Sequence, residues 1–160
     1  QNSKSSKENI MKKTFRGQLK ALGQETIRLS TNNGLSGYRI TRLQIIPIQP
    51  GAVDGEHIVQ VYTKAHDDTS LYDNIDFRDP TLLGIAFYKT DVSEVNADTN
   101  TVIFDNMTFN QDIFISAAEL VGSLPINYII ELEQVKLSRD EATVATLKDM
   151  RAGPDTNFGP

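Results

Sequence analysis

Two histidines and two groups of carboxylates are the residues of this chain whose chemistry could serve catalysis or metal binding. His57 and His66 lie nine residues apart, which matches neither the i, i+4 spacing on a helix nor the alternate spacing on a strand that would bring both to one metal ion. His57 lies where a turn enters a β-like segment, and His66 lies in a polar segment. We therefore expect both to be ordinary surface histidines.

The larger carboxylate group lies in the polar segment between Lys64 and Pro80, and closely spaced carboxylates can bind a hard cation such as Ca²⁺. The segment lacks the Asp-x-Asp-x-Asp-Gly series and the terminal Glu of an EF-hand loop. We expect a solvated loop that holds no metal ion. Its carboxylates are Asp67, Asp68, Asp73, Asp76 and Asp79.

The second group is the pair Glu131 and Glu133, which alternate along a predicted strand and so share one of its faces. Paired carboxylates on one face can serve glycoside hydrolysis, but such a pair on a single strand is more often a solvent-facing stripe. The chain has no cysteine, no Gly-x-Ser-x-Gly turn and no Gly-x-x-x-x-Gly-Lys phosphate loop. We predict no catalytic, cofactor-binding or metal-binding residue, and hence a non-enzymatic protein without a cofactor.

Charge is unevenly distributed along the chain, whose formal net charge is −5. Residues 1–20 carry a local sum of +5, and the first nine residues contain no apolar side chain. Ordering such an arm costs about 1–2 kcal/mol per residue, so we expect a neighbouring subunit to hold it. Nucleic-acid phosphates are a second possible partner, although no aromatic residues interleave with the cations. The cations are Lys4, Lys7, Lys12, Lys13, Arg16 and Lys20, against Glu8.

No window of the sequence approaches the 18 or so apolar residues of a membrane span. Apolar secretory residues do not follow Lys12 and Lys13 either. We expect a soluble protein without a membrane partner.

Short β-like segments separated by Gly, Asn, Asp and Pro are typical of an all-β sandwich. They predict strands over residues 14–19, 26–31, 38–48, 57–63, 82–88, 101–104, 112–116 and 127–135. Leu22-Gly23-Gln24 suggests a hairpin between the first two, and Pro47 places the end of the third at a sheet edge or bend. Residues 91–100 are expected to form an exposed loop. We predict an antiparallel, jelly-roll-like sandwich over residues 14–137, after a basic arm over residues 1–13.

One helix is predicted over residues 138–152, followed by a tail over residues 153–160. Ser138 and Glu141 match a capping box, in which the hydroxyl accepts a backbone amide and the Glu side chain reaches back. Val144, Leu147 and Met150 fall on one face of this helix. That narrow stripe could pack on the helix's own sheet or on a neighbouring subunit.

Two stretches of the chain resemble a group of small, largely uncharacterised proteins encoded by marine bacteriophages. They are residues 13–19 with 27–40, and residues 127–133 with 143–148, and the similarity extends from about Met11 to Arg151 with residues 104–106 and 110–113 between. The resemblance implies a component of the virion. Capsid, capsid decoration, vertex, and tail or neck are possible roles, and no catalytic residues are implied.

Together these observations predict a virion structural protein that contacts other copies of itself and other virion proteins. The expected interface residues are Lys4, Lys7, Lys12, Lys13, Arg16, Val144, Leu147 and Met150. The alternative is a carbohydrate-binding module of a phage tail or spike, which would bind a host surface glycan through exposed aromatic rings. Exposed tyrosines would favour the sugar binder, and tyrosines buried between sheets would favour the structural subunit. The absence of Trp counts against the sugar binder.

Overall fold

The computed structural model describes residues 11–29, 35–93 and 99–151, with side chains of the final helix described as far as Thr146. Within these residues the chain forms eight strands and one α-helix, apart from a short 3-10 turn at Thr69–Leu71. The strands are β1 (Lys12–Leu19), β2 (Gln24–Ile27), β3 (Ser36–Pro47), β4 (Gly55–Tyr62), β5 (Leu82–Thr90), β6 (Thr99–Phe104), β7 (Ile113–Glu119) and β8 (Ile126–Lys136). The helix is α1 (Arg139–Arg151).

The strands form two antiparallel sheets that pack face to face, so the predicted all-β sandwich is confirmed. One sheet has three strands in the order β1-β8-β3, and the other has five in the order β2-β7-β4-β5-β6. Pro47 ends β3, an edge strand, as predicted from its missing N–H. β6 begins at Thr99, so Thr99 and Asn100 belong to a strand and not to the predicted loop over residues 91–100.

The strand order follows a jelly roll in most of its pairs. β1 pairs with β8, β2 with β7, and β4 with β5, so partners from the two halves of the chain nest inside one another. β6 departs from this nesting, because it pairs with β5 and not with β3. As a result β3 and β6 each form the edge of a sheet.

The predicted hairpin between β1 and β2 is wrong. β1 pairs with β8 in the three-stranded sheet, whereas β2 pairs with β7 in the five-stranded sheet. The connecting turn places Leu22 at φ 59 and lets its N–H donate to the carbonyl of Ala117 at 2.8 Å. The turn therefore carries the chain from one layer of the sandwich to the other.

Alternate residues of each strand build a single core between the sheets. Val59 and Val61 face this core, while Ile58, Gln60 and Tyr62 on the opposite face of β4 are also buried. β4 is therefore covered on both faces. The second cover is residues 63–81, which we call the covering loop and which lies on the outer face of the five-stranded sheet.

α1 begins with the predicted capping box. The N–H of Glu141 donates to Oγ of Ser138 at 3.2 Å, and that hydroxyl donates to Oε1 of Glu141 at 3.0 Å. The helix contacts its own domain through Ala142, which is 8% exposed, and through Thr146, whose hydroxyl accepts from Nδ2 of Asn110 at 3.0 Å. Val144 is 53% exposed. Its side of the helix is therefore turned to solvent at that position.

Candidate functional site

An open cavity of about 560 Å³ lies between the covering loop and the outer face of the five-stranded sheet. Its lining includes an imidazole, carboxylates and a guanidinium, which are groups that could bind a ligand or act as acid and base. The lining residues used below are Gln60, Tyr62, His66, Asp68, Asp76 and Asp79.

Gln60 fixes the covering loop to the sheet from below. Its side chain is 1% exposed, and Nε2 donates to the carbonyl oxygen of Tyr72 at 3.0 Å. The carbonyl oxygens of Leu71 and Asn74 each lie 3.3 Å from the same nitrogen. The amide of Gln60 therefore supplies a buried donor to backbone carbonyls of the covering loop, of which that of Leu71 also accepts from the N–H of Asn74.

His66 is buried, at 2% exposure, so the prediction of a surface histidine is wrong. Its ring meets the ring of Tyr62 edge-on at 3.7 Å between centroids. The backbone N–H of His66 donates to Oε1 of Gln24, and its backbone carbonyl accepts from the hydroxyl of Tyr72. These contacts fold the loop back over the sheet and bury the side chain of His66. The polar residues around His66 in the sequence had suggested that it would be exposed.

An imidazole beside a carboxylate can act as a general-base pair, and Nε2 of His66 lies 3.6 Å from Oδ2 of Asp79. Oδ1 of Asp79 accepts from the N–H of Thr81 at 2.8 Å and from its hydroxyl at 2.7 Å. Asp79 thus closes a local turn. The described contacts of His66 and Asp79 hold the covering loop in place.

Two other carboxylates of the loop, Asp68 and Asp76, close turns in the same way. Oδ1 of Asp68 accepts from the N–H and hydroxyl of Ser70, and these hydrogen bonds lower the pKa of Asp68. Asp76 accepts from the N–H and guanidinium of Arg78, which lower its pKa. Among the described residues, no group of three or more His, Asp and Glu side chains is arranged to hold a metal ion.

His57 is also buried, again at 2% exposure, so its predicted surface position is wrong. It lies on the core face of β4, opposite Tyr88 of β5 and Glu119 of β7. Burial lowers the pKa of His57, and the negative charge of Glu119 acts in the opposite direction. Nδ1 has no hydrogen-bond partner, which favours a neutral ring in the folded protein.

Glu131 and Glu133 lie on the outer face of the three-stranded sheet and are paired with cations from both flanking strands. Lys12 approaches Glu131 at 3.5 Å, and Nε of Arg39 approaches Glu133 at 2.6 Å. The hydroxyl of Thr41 donates to Glu131, which together with Lys12 lowers the pKa of that carboxyl. The two carboxylates thus organise a charged surface stripe.

This outer face carries more cations than carboxylates, because Arg16 and Arg42 lie beside the two ion pairs in register. We call the surface formed by Lys12, Arg16, Arg39 and Arg42 the basic face. Its charge is +2 once Glu131 and Glu133 are included.

The structure places the predicted interface residues in separate elements. Lys12 and Lys13 belong to β1 and not to the predicted arm over residues 1–13, since β1 begins at Lys12, and Arg16 lies in the same strand, as predicted. Lys13 faces away from the basic face, with Nζ 5.3 Å from the ring centroid of Tyr38. The arm residues Lys4 and Lys7 lie outside the described residues, as do the side chains of Leu147 and Met150 and the predicted tail.

Sequence reasoning missed an apolar groove beside β6. The groove has a volume of about 370 Å³ and is bordered by Phe77 of the covering loop and Ile103 of β6. Its lining is mostly apolar but also includes the charged residues Arg78, Asp79 and Asp105. Phe77 is 69% exposed and Ile103 is 49% exposed. Two features of the sequence could have revealed the groove. One is the uncharged segment Thr101-Val102-Ile103-Phe104, which is rich in β-branched residues, and the other is the apolar residue Phe77 in a polar loop.

β6 also differs from the other three sheet edges. β1 carries Lys12 and Arg16, β3 carries Arg39, Arg42, a bulge and Pro47, and β2 is four residues long and contains Glu25. β6 has six residues and no charge, and among the described residues no strand is hydrogen-bonded to its outer edge, although β3 of the other sheet lies near it. Natural sheets usually protect an edge with charge, proline, a bulge or short length. β6 has none of the first three devices.

No helix within the described parts of the chain is long and apolar enough to cross a membrane. A comparison with protein-family models finds no match to this chain, and no curated protein matches it significantly.

Proposed function

We propose that this chain is a non-enzymatic structural subunit of a bacteriophage particle, as a capsid, capsid-decoration or vertex protein. It acts through contacts with other copies of itself and with other virion proteins. The observation that carries the proposal is the β6 edge with its apolar groove. The resemblance of residues 13–19 with 27–40, and of residues 127–133 with 143–148, to small marine-phage proteins supports the choice of a virion as the assembly.

An edge strand without charge offers a row of backbone N–H and C=O groups to an extended segment of a partner protein. The apolar groove beside it provides a place for side chains of that segment, with Phe77 and Ile103 on its rim. Main-chain hydrogen bonds supply affinity in such strand addition, and the groove supplies specificity. We infer that β6 receives a strand from another virion protein.

The tyrosines favour a structural subunit over the alternative carbohydrate-binding module. Tyr38, Tyr62, Tyr72 and Tyr128 are buried, and Tyr88 is half-buried against the core. A ring must be exposed to stack on a sugar. Four of the five tyrosines present no such face, and the core covers part of the fifth, which weakens the case for a tyrosine-based sugar site.

The test is quantitative mass spectrometry of purified particles from an infection in which the chain is replaced by variants. We expect the wild-type chain at a fixed copy number relative to the major capsid protein. Ile103→Lys places a charge on the β6 edge and should lower incorporation at least about tenfold. Val53→Lys, at another exposed apolar position, is the matched control and should incorporate normally.

Absence of the wild-type chain from purified particles would overturn the virion role. Normal incorporation of Ile103→Lys would overturn the β6 interface. The face of α1 that contains Val144, and the arm with Lys4 and Lys7, remain proposed contacts of the same subunit.

A further inference from the structure

We propose that copies of this chain stack head to tail, with the basic face of one copy against the covering loop of the next. The inference names a partner, a second copy of the chain, and a geometry for it. It rests on the proposed role as an assembly subunit but does not use the β6 edge.

The covering loop is the acidic counterpart of the basic face. Residues 63–81 contain five aspartates against Lys64 and Arg78, a net charge of −3. Asp67, Asp68 and Asp73 are exposed. The whole chain has a net charge of −5, so a face of charge +2 is a reversal of sign on its surface.

The two charged surfaces lie on opposite sides of the molecule. The contacts of Gln60 and Tyr62 place the covering loop on the outer face of the five-stranded sheet. Arg39 and Glu133 lie on the outer face of the three-stranded sheet, because their neighbours Ile40 and Leu132 point into the core. Outer faces of two packed sheets look in opposite directions.

Opposite charges on opposite faces determine how two copies can meet. Two basic faces repel each other, and so do two covering loops, which disfavours a two-fold symmetric dimer through either surface. A basic face attracts a covering loop, and that contact leaves the two other faces free to repeat it. The expected product is a ring or stack whose size grows with concentration.

The cations available for the contact are those in excess of the internal ion pairs. Lys12 and Arg39 are occupied by Glu131 and Glu133. Arg42 lies opposite Glu131 and helps lower the pKa of that carboxyl, and its guanidinium is held beside Gln44 by two hydrogen bonds of 2.6 and 3.1 Å to the amide oxygen. Two carboxylates offset only two of the four cations. Arg16 and Arg42 therefore supply the positive charge that a second copy would meet.

The experiment measures the molar mass of the full chain by light scattering over a concentration series. The series is run at low salt and at about 0.5 M salt, because the higher salt strongly screens surface charges. Wild-type protein should exceed the mass of a dimer at low salt and return to the 17.8 kDa monomer at high salt. Arg16→Glu with Arg42→Glu reverses the basic face. Asp67→Lys with Asp73→Lys reverses the acidic one.

Each double variant alone should be monomeric, with self-association weakened at least about tenfold. Mixed in equal amounts, they should associate again, because the intact covering loop of the first variant can meet the intact basic face of the second, and the two reversed surfaces also carry opposite charges. Lys20→Glu with Lys136→Glu is the matched control. It changes the net charge by the same amount as reversal of the basic face and should stack like the wild type.

A wild-type monomer at every low-salt concentration would overturn the proposal, as would a mixture of the two variants that stays monomeric. Association that survives both reversals would also overturn it. Failure of stacking leaves particle incorporation through β6 intact, and absence from particles leaves stacking intact, so the two proposals fail separately.

Discussion

The hydroxyl of Tyr128 donates a hydrogen bond to Oε2 of Glu25 at 3.0 Å and thereby joins the two sheets. Tyr128 lies in β8 of the three-stranded sheet, and Glu25 lies in β2 of the five-stranded sheet. Burial raises the pKa of Tyr128, and the neighbouring carboxylate raises it further. The raised pKa favours the protonated phenol, which is the form that donates this hydrogen bond.

Gly17 gives the ring of Tyr128 room to reach Glu25. The two residues are opposite each other in register, and a Cβ atom at position 17 would lie 2.9 Å from Cε1 and the hydroxyl oxygen of Tyr128. We expect Gly17→Ala to lower the free energy of unfolding by about 1–3 kcal/mol through overpacking. Urea denaturation measures the effect.

A double-mutant cycle with Tyr128→Leu tests whether the ring causes this loss. Once the ring is removed, Gly17→Ala should cost much less. An equal cost in both backgrounds would contradict the proposed contact and point to the backbone of β1 instead.

His57 makes stability depend on pH. Its pKa is lowered from 6.5 in the folded protein because of burial, so the unfolded chain binds more protons than the folded one below about pH 6.5. The free energy of unfolding therefore falls as pH drops through this region, towards the lower pKa of the folded state. Glu119 on β7 reduces the effect but does not reverse it.

His57→Gln removes this titration at similar side-chain size. We expect the free energy of unfolding of the wild type to fall between pH 7.5 and about pH 5, with a flatter profile for the variant. The window stops there because carboxylates titrate below it. Chemical denaturation at several pH values provides the measurement, and parallel profiles would show that His57 carries no such linkage.

Local patterning predicted most strands because alternation of apolar residues is a property of the chain itself. β4 and β8 show it plainly, with the core residues Val59 and Val61 in one and Ile130 and Leu132 in the other. Sheet membership was not predictable in the same way. β1 pairs with a strand more than 100 residues away, as the contact between Gln18 and Asn127 shows, and no local turn pattern reports such a pairing.

The site residues were harder to predict than the strands. His66 lies in a polar loop, and only the folding of that loop onto Gln24 and Tyr62 buries it. Lys12 and Arg16 were recognised as cations of an interface but assigned in part to an arm. Their position on a flat sheet face depends on pairing with β8. A polar sequence shows that a loop can face water, but not which sheet the loop covers.

Gln60 and Ser116 lie opposite each other in register on β4 and β7, and both are fully buried. The amide of Gln60 serves the carbonyl oxygens of the covering loop, whereas Oγ of Ser116 has no hydrogen-bond partner. We expect Gln60→Leu to lower the free energy of unfolding by about 1–3 kcal/mol, because buried acceptors lose their donor. Ser116→Ala should be neutral or slightly stabilising, because it removes a buried hydroxyl that makes no hydrogen bond.

Hydrogen exchange distinguishes a local effect of Gln60→Leu from a global one. Amides of the covering loop should lose protection from exchange; one of them is the amide of Tyr72, which donates to the carbonyl of Thr69. Amides of β8 should change only as much as the global free energy of unfolding changes. Ser116→Ala is the matched control one strand away and should leave loop protection unchanged. Unchanged exchange of the loop in Gln60→Leu would mean that the ring contact of His66 with Tyr62 and the turns at Asp68 and Asp79 suffice to hold the loop without the amide.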